Sequence, residues 1–594
     1  MKRATTLDEI NAASQAEFVA ALADIYEHSP WVAERAAAQR PFLTLAQLKR
    51  ALVVAVREAG EPAQLALLRA HPALAERAGV TPLTAASQDE QARAGLAHCT
   101  SEEFASLQSL NARYLQRFGW PFILAVRGPR ASGLSRREIL DTFARRLDQP
   151  QELEFAECLR QVHRIAEIRL DERLRFEPVL GRQVWDWAQA LAAHSDAAPG
   201  TLTVTYLTGA HRACARQLAH WMRECGFDEV GEDALGNVVG LYRGSAPAAR
   251  RLLTGSHYDT VRNGGRFDGR LGILVPMACV RALHASGRRL PFDLELIGFA
   301  EEEGQRYKAT FLASSALGGT FDARWLDQRD AQGVSMREAM QAAGLREEDI
   351  PAIRRDPARY LGFVEIHIEQ GPVLDELDLP LGAVSSINGS VRYLCEVVGV
   401  ASHAGTTPMD RRRDAAVAAA EIALYVEERA KADRGSVGTL GMLQVPDGSI
   451  NVVPGRCRFS LDLRAPDDAQ RDALARDVLQ RIGAICADRG VRCSVEETLR
   501  AAAAPSDAGW QRRWEEAIAR LGLPVHRMPS GAGHDAMKLH ELMPQAMLFV
   551  RGGNAGISHN PLETVTDDDA HLSALAFLEL LEGLAGECAA PTRT

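Results

Sequence analysis

Several common features are missing from this sequence, and each absence narrows its role. No apolar run approaches the ~20 residues that a membrane-spanning helix requires. The opening stretch, MKRATTLDEINAASQAEF, has two basic side chains but no apolar segment behind them, so it does not read as a secretory signal. The ten cysteines are scattered, with no Cys-x-x-Cys pair. That pattern reads as free thiols in a reducing cytosol. Positive charge is not in excess: 68 basic against 78 acidic residues leave a formal charge of −10. Neither nucleic acid nor a membrane is an expected partner. No repeat of roughly 20–50 residues is visible. The composition is that of a soluble globular protein, expected in the cytoplasm.

At 594 residues the chain is too long for one core, so the expected organisation is multidomain. Residues 1–172 read as successive helices. FVAALADIY, LAQLKRALVVAVREA and EFASLQSLNARYLQRF carry apolar positions at helical spacing, and Pro41, Pro72, Pro82, Pro121 and Pro129 punctuate them. From about 173, strand patterns such as RLLTGSHYD, DLELIGFAEE and FVEIHIEQG alternate with helical RACARQLAHWMRECG and GILVPMACVRALHASG. That alternation predicts an α/β layered domain. Residues 388–498 have a different rhythm, with VRYLCEVVGV, CRFSLDLRA and VRCSVEETL as strands around two helical stretches. They read as a small α+β module inserted into the α/β domain, which is thereby split into 173–387 and 499–594.

The stretch LTGSHYDTVRNGGRFDGRLG (253–272) ends an apolar run on His257 and Asp259, then surrounds Asp268 with Gly264, Gly265, Gly269 and Gly272. Such glycine density lets the backbone turn sharply or approach another group closely. Histidine and carboxylates beside such turns are metal-ligand or acid–base groups. Three further segments end in the same way. FDLELIGFAEEEG ends on Glu301, Glu302 and Glu303, FVEIHIEQG on His367, Glu369 and Gln370, and NAGISHNPLE sets His559 in a glycine-flanked loop. Ligand groups collect at strand ends in α/β sheets. One such segment alone would read as solvated acids in a capped turn; four together point to a metal centre. Imidazoles and carboxylates without thiolates suit Zn²⁺ or Mn²⁺.

GSHYDTV, GGRFDGRLG, EEGQRY, HIEQGP, ASHAGTTPM, NVVPGRCRFSLDLR, GAGHDA and GISHNPLE, in this order over about 178–588, resemble the M20-type amidohydrolases. Within these, the resemblance is to allantoate amidohydrolases and N-carbamoyl-amino-acid hydrolases. It implies two divalent ions, Mn²⁺ or Zn²⁺, bridged by Asp268. His257, Glu303, His367 and His559 would complete their coordination. Glu302 would be the general base, and Asp259 would orient the His257 imidazole from behind. Two divalent ions can polarise an unreactive ureido carbonyl and acidify a bridging water. Glu302 would then pass the water proton to the departing amine. Glu301 reads as a solvated neighbour.

The inserted module resembles the family's lid, which is also its dimerisation domain, and so implies a homodimer. His403 of ASHAGTTPM matches a residue that reaches the active site, often from the partner subunit, to stabilise the developing oxyanion. Asn451 and Arg464 match positions that hold the substrate carboxylate, which an arginine fork pairs well. A surface ion pair with Asp462 is the alternative for Arg464. Gln370 reads as a contact to the ureido amide and His534 as a pocket residue. Tyr307 stands where the family commonly has phenylalanine.

In the helical region, RAHPALA (69–75), LTAASQDEQARAG (83–95), LNARYLQRFGWPFILAVRG (110–128) and RIAEIRL (164–170) resemble the 2-oxo-4-hydroxy-4-carboxy-5-ureidoimidazoline (OHCU) decarboxylases. That family is all-helical and needs no cofactor. The match makes His71 and Glu90 the catalytic pair, with Ser87 and Gln91 as substrate contacts. Arg164 would anchor a carboxylate, although Arg169 is close enough to compete. One module would thus make (S)-allantoin and the other hydrolyse allantoate. An N-carbamoyl-L-amino-acid or ureidoglycolate amidohydrolase is the alternative for the second.

Overall fold

The computed structural model describes residues 6–74, 90, 100–246 and 249–589. Up to Leu174 the described residues form helices and loops, with no strand. Local chemistry sets the helix ends. Ser101–Phe118 starts from a capping box of Thr100 and Glu103 and stops at left-handed Gly119. Arg136–Leu147 starts from the same arrangement of Ser135 and Glu138. Apolar faces converge on a core that includes Leu48, Leu52, Val56, Tyr114, Phe122 and Phe143. Inside it Arg146 is buried against Glu154, which also accepts from Tyr114.

The second module is built on a nine-stranded sheet. Its centre is parallel: Arg251–His257 lies between Asp293–Phe299 and Tyr360–Ile368, and Gln545–Val550 pairs alongside Tyr360–Ile368. These strands are buried almost end to end, as a sheet covered on both faces requires. Helices Gly209–Glu224, Leu271–Ala285 and Asp567–Ala589 pack into the same core. All four central strands run the same way. The loops after His257, Phe299, Ile368 and Val550 therefore gather at one end of the sheet.

The insert is a separate five-stranded sheet with its own core. Gly389–Val398 pairs with Arg456–Ala465 on one side and Arg492–Ala501 on the other. Helices Ala415–Ala432 and Asp468–Asp488 cover one face. Pairing lasts to Ala501, and Ala504 already pairs with Ile387 of the large sheet, so the chain crosses back within a few residues.

A buried ionic seam joins the helical module to the large sheet. Helix Asp567–Ala589 opens with Asp567, Asp568 and Asp569, acids that suit a helix N-terminus. Arg164 lies 2.5 Å from Asp567, and Lys49 lies 2.5 Å from Asp568 and 2.7 Å from Asp171. Arg160 reaches Asp375 at 2.9 Å, and the Asp567 amide donates to the Pro129 carbonyl.

Candidate functional site

The four strand ends bring their side chains together. Asp268 is central. Its Oδ1 lies 3.4 Å from His367 Nε2 and 4.0 Å from His257 Nε2, and its Oδ2 lies 3.1 Å from His559 Nε2. His559 Nε2 is in turn 3.4 Å from Glu303 Oε1. Two donor sets share Asp268: His257, Asp268 and His367, and Asp268, Glu303 and His559. Within each set the ligand atoms lie within 4.8 Å of one another. A third set, His257, Glu302 and Glu303, overlaps both. Donors on opposite sides of an ion at about 2.0–2.2 Å stand up to about 4 Å apart, so the spacing fits divalent cations. The charge balance fits too. Asp259, Asp268, Glu301 and Glu302 are all buried here. Burial pushes the Glu303 carboxyl up to about 8, with neighbouring Asp268 adding to the shift. Burial likewise raises Glu302 well above the carboxylate range, and Glu303 and Asp535 raise it further. Cations would relieve that crowding.

The glycines have specific jobs. Gly269 has φ +66°, and a Cβ there would fall 2.5 Å from the His257 ring. Only glycine lets the Asp268 loop fold against that imidazole. A Cβ on Gly265 would meet Glu563 at 2.1 Å.

A layer of fixed partners surrounds the donors. Asp259 Oδ1 is 3.3 Å from His257 Nδ1, and its two oxygens accept from the Glu302 and Glu303 amides at 3.1 Å. One carboxylate thus orients the imidazole and pins the turn carrying both glutamates. His367 Nδ1 sits 2.9 Å from the Ile368 carbonyl, which leaves Nε2 facing Asp268. Gln370 and His559 are non-glycine residues at φ +58° and +53°, a strained backbone typical of functional loops. The Gln370 amide donates to Asp268 Oδ1 at 3.0 Å. The structure therefore sets it on the central carboxylate, where the sequence had suggested the substrate. His534 is buried behind His367, their ring centroids 4.5 Å apart, and its Nε2 is 2.8 Å from Ser530 Oγ. Glu301 corrects an expectation: it is fully buried, not solvated. Glu563 is a functional position that the sequence reasoning passed over. Its Oε1 accepts from the Phe267 and Asp268 amides, and its Oε2 from Ser558 Oγ at 2.7 Å. It ties the Asp268 loop to the His559 loop. The signal was present at the end of GISHNPLE.

In the helical module, His71 and Glu90 line one small pocket with Leu124, Val126 and Arg169. The Leu67 carbonyl is 2.9 Å from His71 Nδ1, and burial lowers the imidazole to about 4. Arg169 holds both Glu90 oxygens at 2.9 Å and also pairs with Glu27. Arg164 does not line this pocket; it is committed to Asp567 in the seam. The reason is helical phase. Five residues at 3.6 per turn place Arg164 and Arg169 about 140° apart on the same helix. Ser87 and Gln91 lie outside the described residues.

The model of peptidase family M20/M25/M40 matches residues 253–583, more than half of the chain. The chain belongs to this family. The OHCU decarboxylase model matches residues 11–171. An N-carbamoyl-L-amino acid amidohydrolase of Geobacillus stearothermophilus is 38% identical over 396 residues, covering 67% of this chain and 96% of that protein. An allantoate deiminase of Arabidopsis thaliana is 35% identical over 419 residues, covering 65% and 79%. The crystal structure of a hydantoinase/carbamoylase family amidase from Burkholderia ambifaria superimposes with TM-score 0.64 at 32% identity, covering 68% and 98%.

In this M20 chain no residue of the insert belongs to a donor set found among the described residues. His403 is exposed, and its Nδ1 accepts from the Gly405 amide. It neighbours exposed Asn451 through the short pairing of Val452 with His403. Arg464 forms the ion pair that was its alternative, with Asp462 at 3.0 and 2.8 Å. Its remaining nitrogen donates to the Gly531 carbonyl, in the loop leading to His534.

Proposed function

We propose that this chain is a bifunctional enzyme of ureide metabolism. Its helical module decarboxylates OHCU to (S)-allantoin, and its M20 module hydrolyses allantoate to ureidoglycine, ammonia and CO₂. The observation that carries the second activity is Asp268, one carboxylate whose two oxygens face two converging donor sets. His257, Asp268 and His367 would hold one ion and Asp268, Glu303 and His559 the other; the absence of thiolates favours Mn²⁺ or Zn²⁺. When bound, such a pair polarises the ureido carbonyl and acidifies water. Glu302 takes the proton of the attacking water and delivers it to the departing amine. Asp259 holds Glu302 in place through its amide, and Gln370 steadies Asp268.

In the helical pocket His71, kept neutral by burial, manages the proton, and Arg169 fixes Glu90 beside it. The carboxylate leaves as CO₂, its electrons pass into the ring, and protonation on one face gives the S product.

We further propose a homodimer through the insert. Leu394, Leu443, Ile450 and Leu499 are exposed on it, and His403 would act in the neighbour's site. The 38% identity to an N-carbamoyl-L-amino acid amidohydrolase keeps that substrate class as a second reading. One comparison tests both: ammonia release from allantoate against hydrolysis of N-carbamoyl amino acids, with OHCU consumption followed in parallel. Faster turnover of N-carbamoyl amino acids would overturn the allantoate assignment.

A further inference from the structure

A cavity of about 460 Å³ lies between the two modules, distinct from the His71 pocket and adjoining the metal donors only through Glu563, and is of the size of small-molecule sites. Seven arginines line it. Five are neutralised: Arg127 by Glu172, Arg130 by Asp186, Arg160 by Asp375, Arg164 by Asp567 and Arg551 by Asp569. Arg145 and Arg266 are not. Among the described residues, no carboxylate comes within 4 Å of either guanidinium, although both are partly buried. Arg145 faces the Asn554 side chain at 3.5 Å, and Arg266 lies over the Trp185 ring at 5.7 Å and donates to the neutral Gln189 side chain, which supplies no counter-charge. Burial lowers both below the usual guanidinium range. Glu157 and Glu154 act on Arg145, and Glu138 and Glu563 on Arg266, only at longer range. Half-buried cations without counter-ions are costly, and a carboxylate ligand is their natural partner. The same wall offers Asp141, Glu138 and Asn554 as acceptors for N–H groups.

We propose that this cavity binds a compact carboxylate bearing N–H donors, of the ureido-acid class, with Arg145 and Arg266 taking the carboxylate. The site has a route to the metal centre. Arg266 precedes Phe267 and Asp268, whose amides are held by Glu563. Asn554 and Glu563 flank His559 in sequence, and both line the cavity. An occupant would therefore touch both segments that present metal donors.

The test uses the full chain, stripped of metal by a chelator so that turnover plays no part, with N-carbamoylglycine as probe. Its outcome does not depend on which ureide the M20 module hydrolyses. Tryptophan emission should change saturably, and the change should vanish in Trp185→Phe. Arg145→Gln and Arg266→Gln should each weaken binding about tenfold, the scale of one charged hydrogen bond. Arg145→Lys and Arg266→Lys keep the charge and should retain more binding, which separates lost recognition from lost folding. Acetate should bind more weakly, because it leaves the acceptors unused. No saturable change, a change that survives Trp185→Phe, or binding indifferent to both Arg→Gln variants would overturn the site. Acetate binding as tightly as the probe would overturn its ureido class.

Discussion

Two neighbouring glutamates, Glu302 and Glu303, carry different expected roles. Glu303 stands with Asp268 and His559, whereas Glu302 is buried beside them with a strongly raised carboxyl. Glu302→Gln should keep bound metal and lower ureide hydrolysis by about 10²–10⁴, the usual weight of a general base. Metal analysis decides the register: metal lost in Glu302→Gln but kept in Glu303→Gln would reverse the two roles. The helical pocket gives a parallel contrast. Arg169→Met should abolish decarboxylation by releasing Glu90. Arg164→Met should leave decarboxylation kinetics near normal but destabilise the chain by about 1–3 kcal/mol, since it removes the shorter of two ion pairs on buried Asp567 and leaves only Arg182 at 3.3 Å. Equal kinetic losses in both variants would refute the assignment of Arg169 to the pocket.

His71 adds a pH signature. Burial lowers its folded-state value to about 4 from the ordinary 6.5. The folded chain then binds fewer protons on this group than the unfolded chain. Its neutral form therefore favours folding above 6.5, and that contribution is lost as the pH falls towards 4. The kcat/KM profile for decarboxylation should show no inflection near 6.5; an inflection there that disappears in His71→Asn would contradict a buried neutral imidazole. Most donors were legible in the sequence because each lies at the end of, or in the loop beyond, a strand with an unmistakable apolar run. Arg169 and Glu563 were not. Choosing Arg169 over Arg164 needs the rotational phase of a helix against its neighbours. Glu563 closes the motif that carries His559, but it works through backbone amides, so the motif shows the residue and not its role.

At the scale of elements, strand and helix were readable for similar reasons. RLLTGSH, DLELIGF and YLGFVEIHI are apolar runs bounded by polar turns, and they became the central strands. The insert was recognisable because its alternating strands, such as CRFSLDLR, differ from those continuous runs. They need burial on one face only. What periodicity could not supply is where the insert points. His403 and Asn451 sit together at its exposed short pairing, and neither belongs to a donor set found among the described residues. If the partner's site receives His403, mixing His403→Ala with Glu302→Gln under subunit exchange should restore part of the ureide hydrolysis. Each hybrid then has one site lacking both groups and one intact site. Losing this donor alone should cost roughly 10²–10³ in rate. No recovery, with hybrid dimers demonstrated by mass, would place His403 in its own subunit's site or outside catalysis.

At the scale of the whole molecule, two sites with different chemistry share one body. Among the described residues, all those found around His71 belong to the helical module, and every metal-donor set lies beyond residue 250. The seam between them is ionic and buried: Lys49 is shared by Asp171 and Asp568, and Arg164 is held by Asp567. Such pairs fix how the modules sit, because breaking one leaves an uncompensated buried charge. The sequence could not reveal the seam, since its partners lie hundreds of residues apart and each charge looks like an ordinary surface residue. The seam does not run through either set of reacting groups. Chelation should therefore abolish ureide hydrolysis while OHCU consumption continues at its former rate. It should also lower the melting temperature, since ions bound to the folded chain stabilise it by mass action and their removal leaves the buried carboxylates unneutralised. Restoring Mn²⁺ or Zn²⁺ should return both hydrolysis and melting temperature. A parallel loss of decarboxylation on chelation, reversed by the same ions, would mean that the helical site depends on the metal centre across the seam, and would overturn the separation of the two chemistries.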